Sequence, residues 1–234
     1  MLEDILKEGF SQMGISADEK ALERYRIYYE YLEEKNKVMN LTAISGEEDV
    51  ARLHFLDCAA LLNTAELRGK SIIDVGTGAG FPGLALKIAC PDMKLTLLDS
   101  LDKRVNFLRE TCARLGFSDV ECIHARAEEA PKELRESFDI ASSRAVARLN
   151  LLCELCLPYL KVGGSFIAMK GPDCASELEE AKNAIKLLGA EYRQTVSYTV
   201  PGTDIVHTAV IIEKTKPTHP KYPRKWAQIK KQPL

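Results

Sequence analysis

No apolar stretch in the 234 residues approaches the roughly 18 uninterrupted residues that a membrane-spanning helix requires, so no membrane association is expected. The start, Met1-Leu2-Glu3-Asp4, is acidic and lacks the basic and apolar regions of a signal peptide. An even, patterned cysteine set is also missing. Seven cysteines scattered through the chain suit reduced thiols and a cytoplasmic location better than a disulfide framework. The four histidines (His54, His124, His207, His219) show no ligand spacing, and Cys153-Glu154-Leu155-Cys156 has no second pair, so no metal is expected and these cysteines read as core. No G-x-S-x-G elbow or Ser/His/Asp order points to a covalent hydrolase. Acidic residues are absent from Lys214 to Leu234, where seven Lys/Arg fall, leaving 25 basic against 34 acidic residues in the rest of the chain. A cationic tail on an acidic body points to a polyanionic partner.

The sequence is organised around Ser71-Ile72-Ile73-Asp74-Val75-Gly76-Thr77-Gly78-Ala79-Gly80-Phe81-Pro82-Gly83. Ser71 to Val75 reads as a buried strand, and three glycines lead to Pro82, placed where a helix would begin, with a fourth, Gly83, behind it. Strand, glycine turn and helix bring bare backbone against a ligand. Gly78 to Gly83 satisfies the dinucleotide pattern G-x-G-x-x-G, whereas Gly76, Gly78 and Gly80 satisfy the G-x-G-x-G of enzymes that use S-adenosylmethionine. Asp74 favours the second: a carboxylate two residues before the first glycine would repel a pyrophosphate but could hold the cofactor's ammonium. A flavin or nicotinamide oxidoreductase is the competing enzyme reading, and a non-catalytic RNA-binding adaptor the bland one.

Three helical segments precede this turn, with stripes at Leu2, Ile5, Leu6, Phe10, then Leu22, Tyr25, Tyr29, Leu32, then Val50, Leu53, Leu56. Ser16 with Glu19 reads as a capping box. The tyrosines read as core rather than as a stacking surface. From Ser71 strands and helices alternate, a helix near Leu149–Leu160 is expected to end at Gly163-Gly164, and two β-rich segments around Pro201-Gly202 read as a closing hairpin. The expected fold is α/β: a doubly wound, mostly parallel seven-stranded sheet, Rossmann-like, with an N-terminal helical cap. The expected divisions are a cap over residues 1–66, a cofactor-binding domain over 67–213 and a basic tail over 214–234.

Ligands in such sheets lie across the carboxyl ends of the strands. That rule selects Asp99, with Ser100 behind it, for the ribose hydroxyls, or Asp99 as a helix cap; Ala127 and Glu128 for the adenine edge, or as solvated surface; Arg144 for cofactor or substrate; and Lys170 for the same cleft.

Asn40-Leu41-Thr42-Ala43-Ile44, Arg52-Leu53-His54-Phe55-Leu56-Asp57, Asp74 through Gly83, Ser143-Arg144-Ala145, Met169-Lys170-Gly171 and Tyr222-Pro223-Arg224-Lys225 resemble the GidB/RsmG family over almost the whole chain. That resemblance implies a methyltransferase using S-adenosylmethionine to methylate N7 of one guanosine in bacterial small-subunit (16S) ribosomal RNA. It implies that Gly76, Phe81, Ala127, Glu128 and Arg144 line the cofactor site, with Asn40, His54, Lys170, Arg224 and Lys225 near the substrate. The partner is then the ribosomal RNA or its particle, the enzyme a monomer, and no catalytic base is expected, because N7 carries a free lone pair. Two departures from the family stand out: Cys58 where a serine is usual, and Trp226-Ala227-Gln228-Ile229 where Gly-Thr-Pro usually follows. Trp226 offers a stacking surface to RNA bases.

Overall fold

The computed structural model describes residues 1–144 and 147–234; Ala145 of the quoted motif lies outside the described residues. Helices α1 (Leu2–Gln12) and α2 (Glu19–Met39) come first. A broken helical run follows: α3 (Glu47–Val50), a π-helical stretch at Ala51–Leu56, α4 (Asp57–Ala59) and a 3₁₀ turn at Ala60–Asn63. The rest alternates: β1 (Ser71–Val75), α5 (Gly83–Ala89), β2 (Lys94–Asp99), α6 (Asp102–Arg114), β3 (Glu121–His124), β4 (Phe138–Arg144), α7 (Leu149–Cys156), β5 (Leu160–Lys170), α8 (Ala175–Leu187), β6 (Ala190–Thr199), β7 (Val206–Lys214) and α9 (Trp226–Lys231).

The seven strands lie in the order β3-β2-β1-β4-β5-β7-β6. β1 to β5 pair in parallel, and β7 runs antiparallel to both β5 and β6. The order reverses between β1 and β4, which opens a crevice at their carboxyl ends. Strand residues alternate between two cores: Ile72, Leu95 and Leu97 face the N-terminal helices with α5 and α6, whereas Ile73, Val75 and Leu98 face α7 and α8. The N-terminal cap is therefore one of the sheet's two covering layers. Tyr25 and Tyr28 are fully buried in it, and Tyr29 is only partly covered. The Tyr25 hydroxyl donates to the Ala85 carbonyl at 2.7 Å, which ties α2 to α5.

Three local expectations are corrected. Asp18, not Ser16, caps α2 by accepting from the Ala21 N–H at 2.7 Å. Pro82 precedes α5 instead of opening it. Gly163 and Gly164 lie inside β5, because Leu157–Tyr159 forms a short 3₁₀ turn and extended pairing with β4 begins at Leu160.

The turn after β1 shows why its glycines are needed. Gly80 has φ +103°, and a Cβ there would lie 2.5 Å from the Tyr28 hydroxyl, which itself donates to the Ala79 carbonyl. A Cβ on Gly83 would lie 2.8 Å from both the Asp74 Cβ and a Leu97 methyl. Gly83→Ala should lower stability by about 1–3 kcal/mol, read as a fall in the urea midpoint with unchanged slope; an unchanged midpoint would refute the close packing of α5 on β1.

Candidate active site at the carboxyl edge of the sheet

Asp74 does not face the crevice. Its carboxylate is fully buried beneath the turn, accepting from the Thr77 hydroxyl (2.6 Å), the Gly83 N–H (2.9 Å) and, on the other oxygen, the Ser142 hydroxyl (3.0 Å). Burial pushes its pKa up, against these three hydrogen bonds and the charge of Arg144. It thus braces the turn rather than meeting a ligand, and the first N–H of α5 is spent on it rather than offered to an anion. Gly80 likewise faces Tyr28 beneath the turn.

Three linked cavities lie above. The largest of the ligand-sized pair along the turn, about 410 Å³, is walled by Gly76, Thr77 and Gly78 with Leu41, Thr42, Phe81, Arg104 and Arg144. Asp99 and Ser100 connect it to a second cavity of about 180 Å³ between Ala127, Glu128, Leu155 and Trp226. His54 and Arg144 connect it to a third of about 460 Å³, lined by Ile44, Asp57, Met169, Lys170, Gly171 and His207.

Asp99 ends β2 almost completely buried. One oxygen accepts from the Gly78 N–H and the other from the Leu101 N–H, both at 2.9 Å, so the carboxylate orients the turn and keeps further lone pairs for a diol. Arg144 is held from three sides: it donates to the Leu53 carbonyl (3.1 Å), Asp57 (3.2 Å) and Nδ1 of His54 (2.7 Å), above the Phe81 ring. Arginine only donates, so His54 Nδ1 accepts and its proton sits on Nε2, directed at the Thr42 hydroxyl at 2.8 Å. Burial, then the Arg144 charge, push the His54 pKa down to about 3. His54 also stacks on Phe81 with centroids 4.2 Å apart. The π-helical stretch supplies both Leu53 and His54 to this cluster.

Sequence reasoning missed the centre of that cluster. Asp57, nearly inaccessible, accepts from Tyr198 (2.9 Å), His207 (2.8 Å) and Arg144, so one carboxylate joins α4 to β4, β6 and β7. The bond to Asp57 raises the His207 pKa. The visible signal was Asp57 at the end of the quoted Arg52–Asp57 motif. Lys170 faces the third cavity and pairs with Glu177 at 2.7 Å.

Two substrate-side residues stand elsewhere than expected. Asn40 is the left-handed residue (φ 50°) that ends α2 and is exposed; Leu41 and Thr42 after it form the cavity wall. Arg224 is spent on buried Glu154, to which its Nε and Nη2 donate at 2.8 and 2.6 Å. Lys225 is exposed beside Trp226. Cys153 and Cys156 are buried in α7, as the core reading expects.

The strand order, with its reversed β7, and a glycine turn facing a carboxylate at the end of β2 define a Rossmann-like methyltransferase. Solved structures agree on the fold: a SAM-dependent methyltransferase from Aquifex aeolicus has TM-score 0.54 at 21% identity, covering 71% of this chain and 94% of its own. Geranyl diphosphate methyltransferase in complex with SAM has TM-score 0.56 at 11% identity, covering 71% and 88%. Residues 21–206 match the family model GidB, rRNA small subunit methyltransferase G. Proteins named "Ribosomal RNA small subunit methyltransferase G" are 45% identical in Clostridium perfringens, over 99% of this chain and 98% of that one, and 48% identical in Alkaliphilus oremlandii, over 100% and 99%. The chain belongs to this GidB family of rRNA small subunit methyltransferases.

A neutral His54 has a thermodynamic consequence. Between its ordinary pKa and about 3 the unfolded chain binds a proton there that the folded chain refuses, so this contribution to stability is present above about pH 6.5 and is lost as pH falls. The stability of wild type minus that of His54→Gln should therefore fall between pH 6.5 and 4 in denaturant titrations; a pH-independent difference would contradict the assignment.

Proposed function

We propose that this protein transfers a methyl group from S-adenosylmethionine to N7 of a guanosine in small-subunit ribosomal RNA. The observation that carries the reading is the run of three cavities along one strand edge, joined through Asp99 and Ser100 on one side and His54 and Arg144 on the other. Glu128 and Ala127 would take the adenine, Asp99 the ribose hydroxyls, and the Gly76–Gly78 backbone with Arg104 the amino-acid end. The donor set fits: a buried carboxylate with spare lone pairs suits a diol, and a turn built from Gly76 and Gly78 at φ +70° and +62° leaves backbone open to a ligand. When bound, the cofactor supplies an electrophilic methyl on a sulfonium sulfur.

The third cavity would receive the guanine. N7 has an in-plane lone pair and no proton to remove, so the protein's work is positional: to hold the ring, exclude water and tolerate the positive charge that methylation leaves on the base. The Arg144 and Lys170 cations at this cavity are already matched to carboxylates, Arg144 to Asp57 and Lys170 to Glu177. Pairing weakens their opposition to that charge while leaving them as donors for O6 or phosphate. His54 is kept neutral and adds none. A cytoplasmic site of action follows from the substrate.

Labelled S-adenosylmethionine incubated with small-subunit particles and with extracted rRNA, followed by nucleoside mapping, tests this. Label in 7-methylguanosine is expected; label in any other nucleoside would overturn the N7 assignment.

A further inference from the structure

The basic segment after β7 is fixed to the domain. Lys214 is wholly buried, donating to the Leu157 carbonyl at 2.8 Å and pairing with Glu136 at 3.4 Å. Arg135 donates to the carbonyls of Thr218 (2.6 Å) and Tyr222 (2.7 Å), and the Thr218 N–H donates to Glu136 at 2.7 Å. Arg224 makes a bidentate pair with Glu154, which also accepts the Arg224 N–H at 2.8 Å. Breaking such a pair would strand a buried charge on α7, so the segment is fixed to the domain. Tyr222 and Ile229 are buried in the core on that face of the sheet.

This strap carries Trp226, the first residue of α9, which closes the cavity formed by Ala127, Glu128, Asp99 and Leu155. We propose that Trp226 is an adenine-binding residue, supplied by the C-terminal strap to the cofactor site rather than to RNA. The inference rests on the S-adenosylmethionine reading of the crevice. The cavity has one apolar side chain from α7, Leu155, and a buried acidic group, Glu128, whose carboxylate is held by Arg126 at 2.8 Å. A planar, electron-poor heterocycle with an exocyclic amine matches that lining: the indole gives it an apolar aromatic contact, and Glu128 an acceptor.

Trp226 is the single tryptophan, which makes the test direct. Full-length protein is titrated with S-adenosylhomocysteine, adenosine and homocysteine, following intrinsic fluorescence, with calorimetry as an independent measure of binding. Saturable fluorescence change with the first two and none with homocysteine is expected. Trp226→Ala should weaken S-adenosylhomocysteine binding about fivefold to tenfold, while Trp226→Phe stays within about twofold of wild type. If calorimetry shows S-adenosylhomocysteine binding to wild type with unchanged fluorescence, or equal affinity in Trp226→Ala, the role of Trp226 is refuted while the cofactor reading stands. Absence of any binding to wild type would refute both.

Discussion

A carboxylate out of reach of water holds the site together. Asp74 joins the strand that carries it to the turn above through Thr77, to α5 through the Gly83 N–H and to β4 through Ser142. An unpaired buried charge would be costly, and each of these partners offsets part of that cost. The arrangement works only if Gly83 approaches the Asp74 Cβ closely and Gly80 passes close to the Tyr28 hydroxyl. The turn's shape is thus determined from below, by the protein's own core, before any ligand arrives.

The same device recurs at two further points, one at the crevice and one behind it on α7. Asp57 gathers Arg144, Tyr198 and His207 from three strands, and Glu154 receives Arg224 from the chain's last segment. Each buried acid is matched by basic or hydroxyl partners from distant sequence, so the walls contributed by the N-terminal cap, the central strands and the C-terminal strap are fixed relative to one another. For the proposed N7 methylation, which would leave a cation on its product, this is also favourable electrostatics: the guanidinium and ammonium at the third cavity come with their own counter-charges.

The fold was largely legible because its signals are local. Alternating strand and helix patterns, the glycine turn and the Pro201-Gly202 hairpin each depend on neighbours in sequence, and all lead to the observed sheet. At the crevice, Asp99, Ala127, Glu128, Arg144 and Lys170 were found by the rule that strand ends face the ligand. What stayed hidden depends on burial and long-range pairing. A motif cannot say whether Asp74 points up to a ligand or down to Gly83, and a basic tail cannot say that Arg224 meets Glu154, 70 residues away, or that Lys214 is fully inside. Asn40 is ambiguous for another reason: at the end of α2 an asparagine suits the left-handed backbone as well as it would suit a ligand.

The claim on which the account turns is that Asp74 supports the cofactor turn without touching the cofactor. A crystal structure of the protein with S-adenosylhomocysteine tests it most directly. The account predicts Asp74 still bonded to Thr77, Gly83 and Ser142, with both carboxylate oxygens beyond the roughly 3.5 Å reach of a hydrogen bond to the ligand. A direct bond between the ligand's ammonium and Asp74 would contradict it.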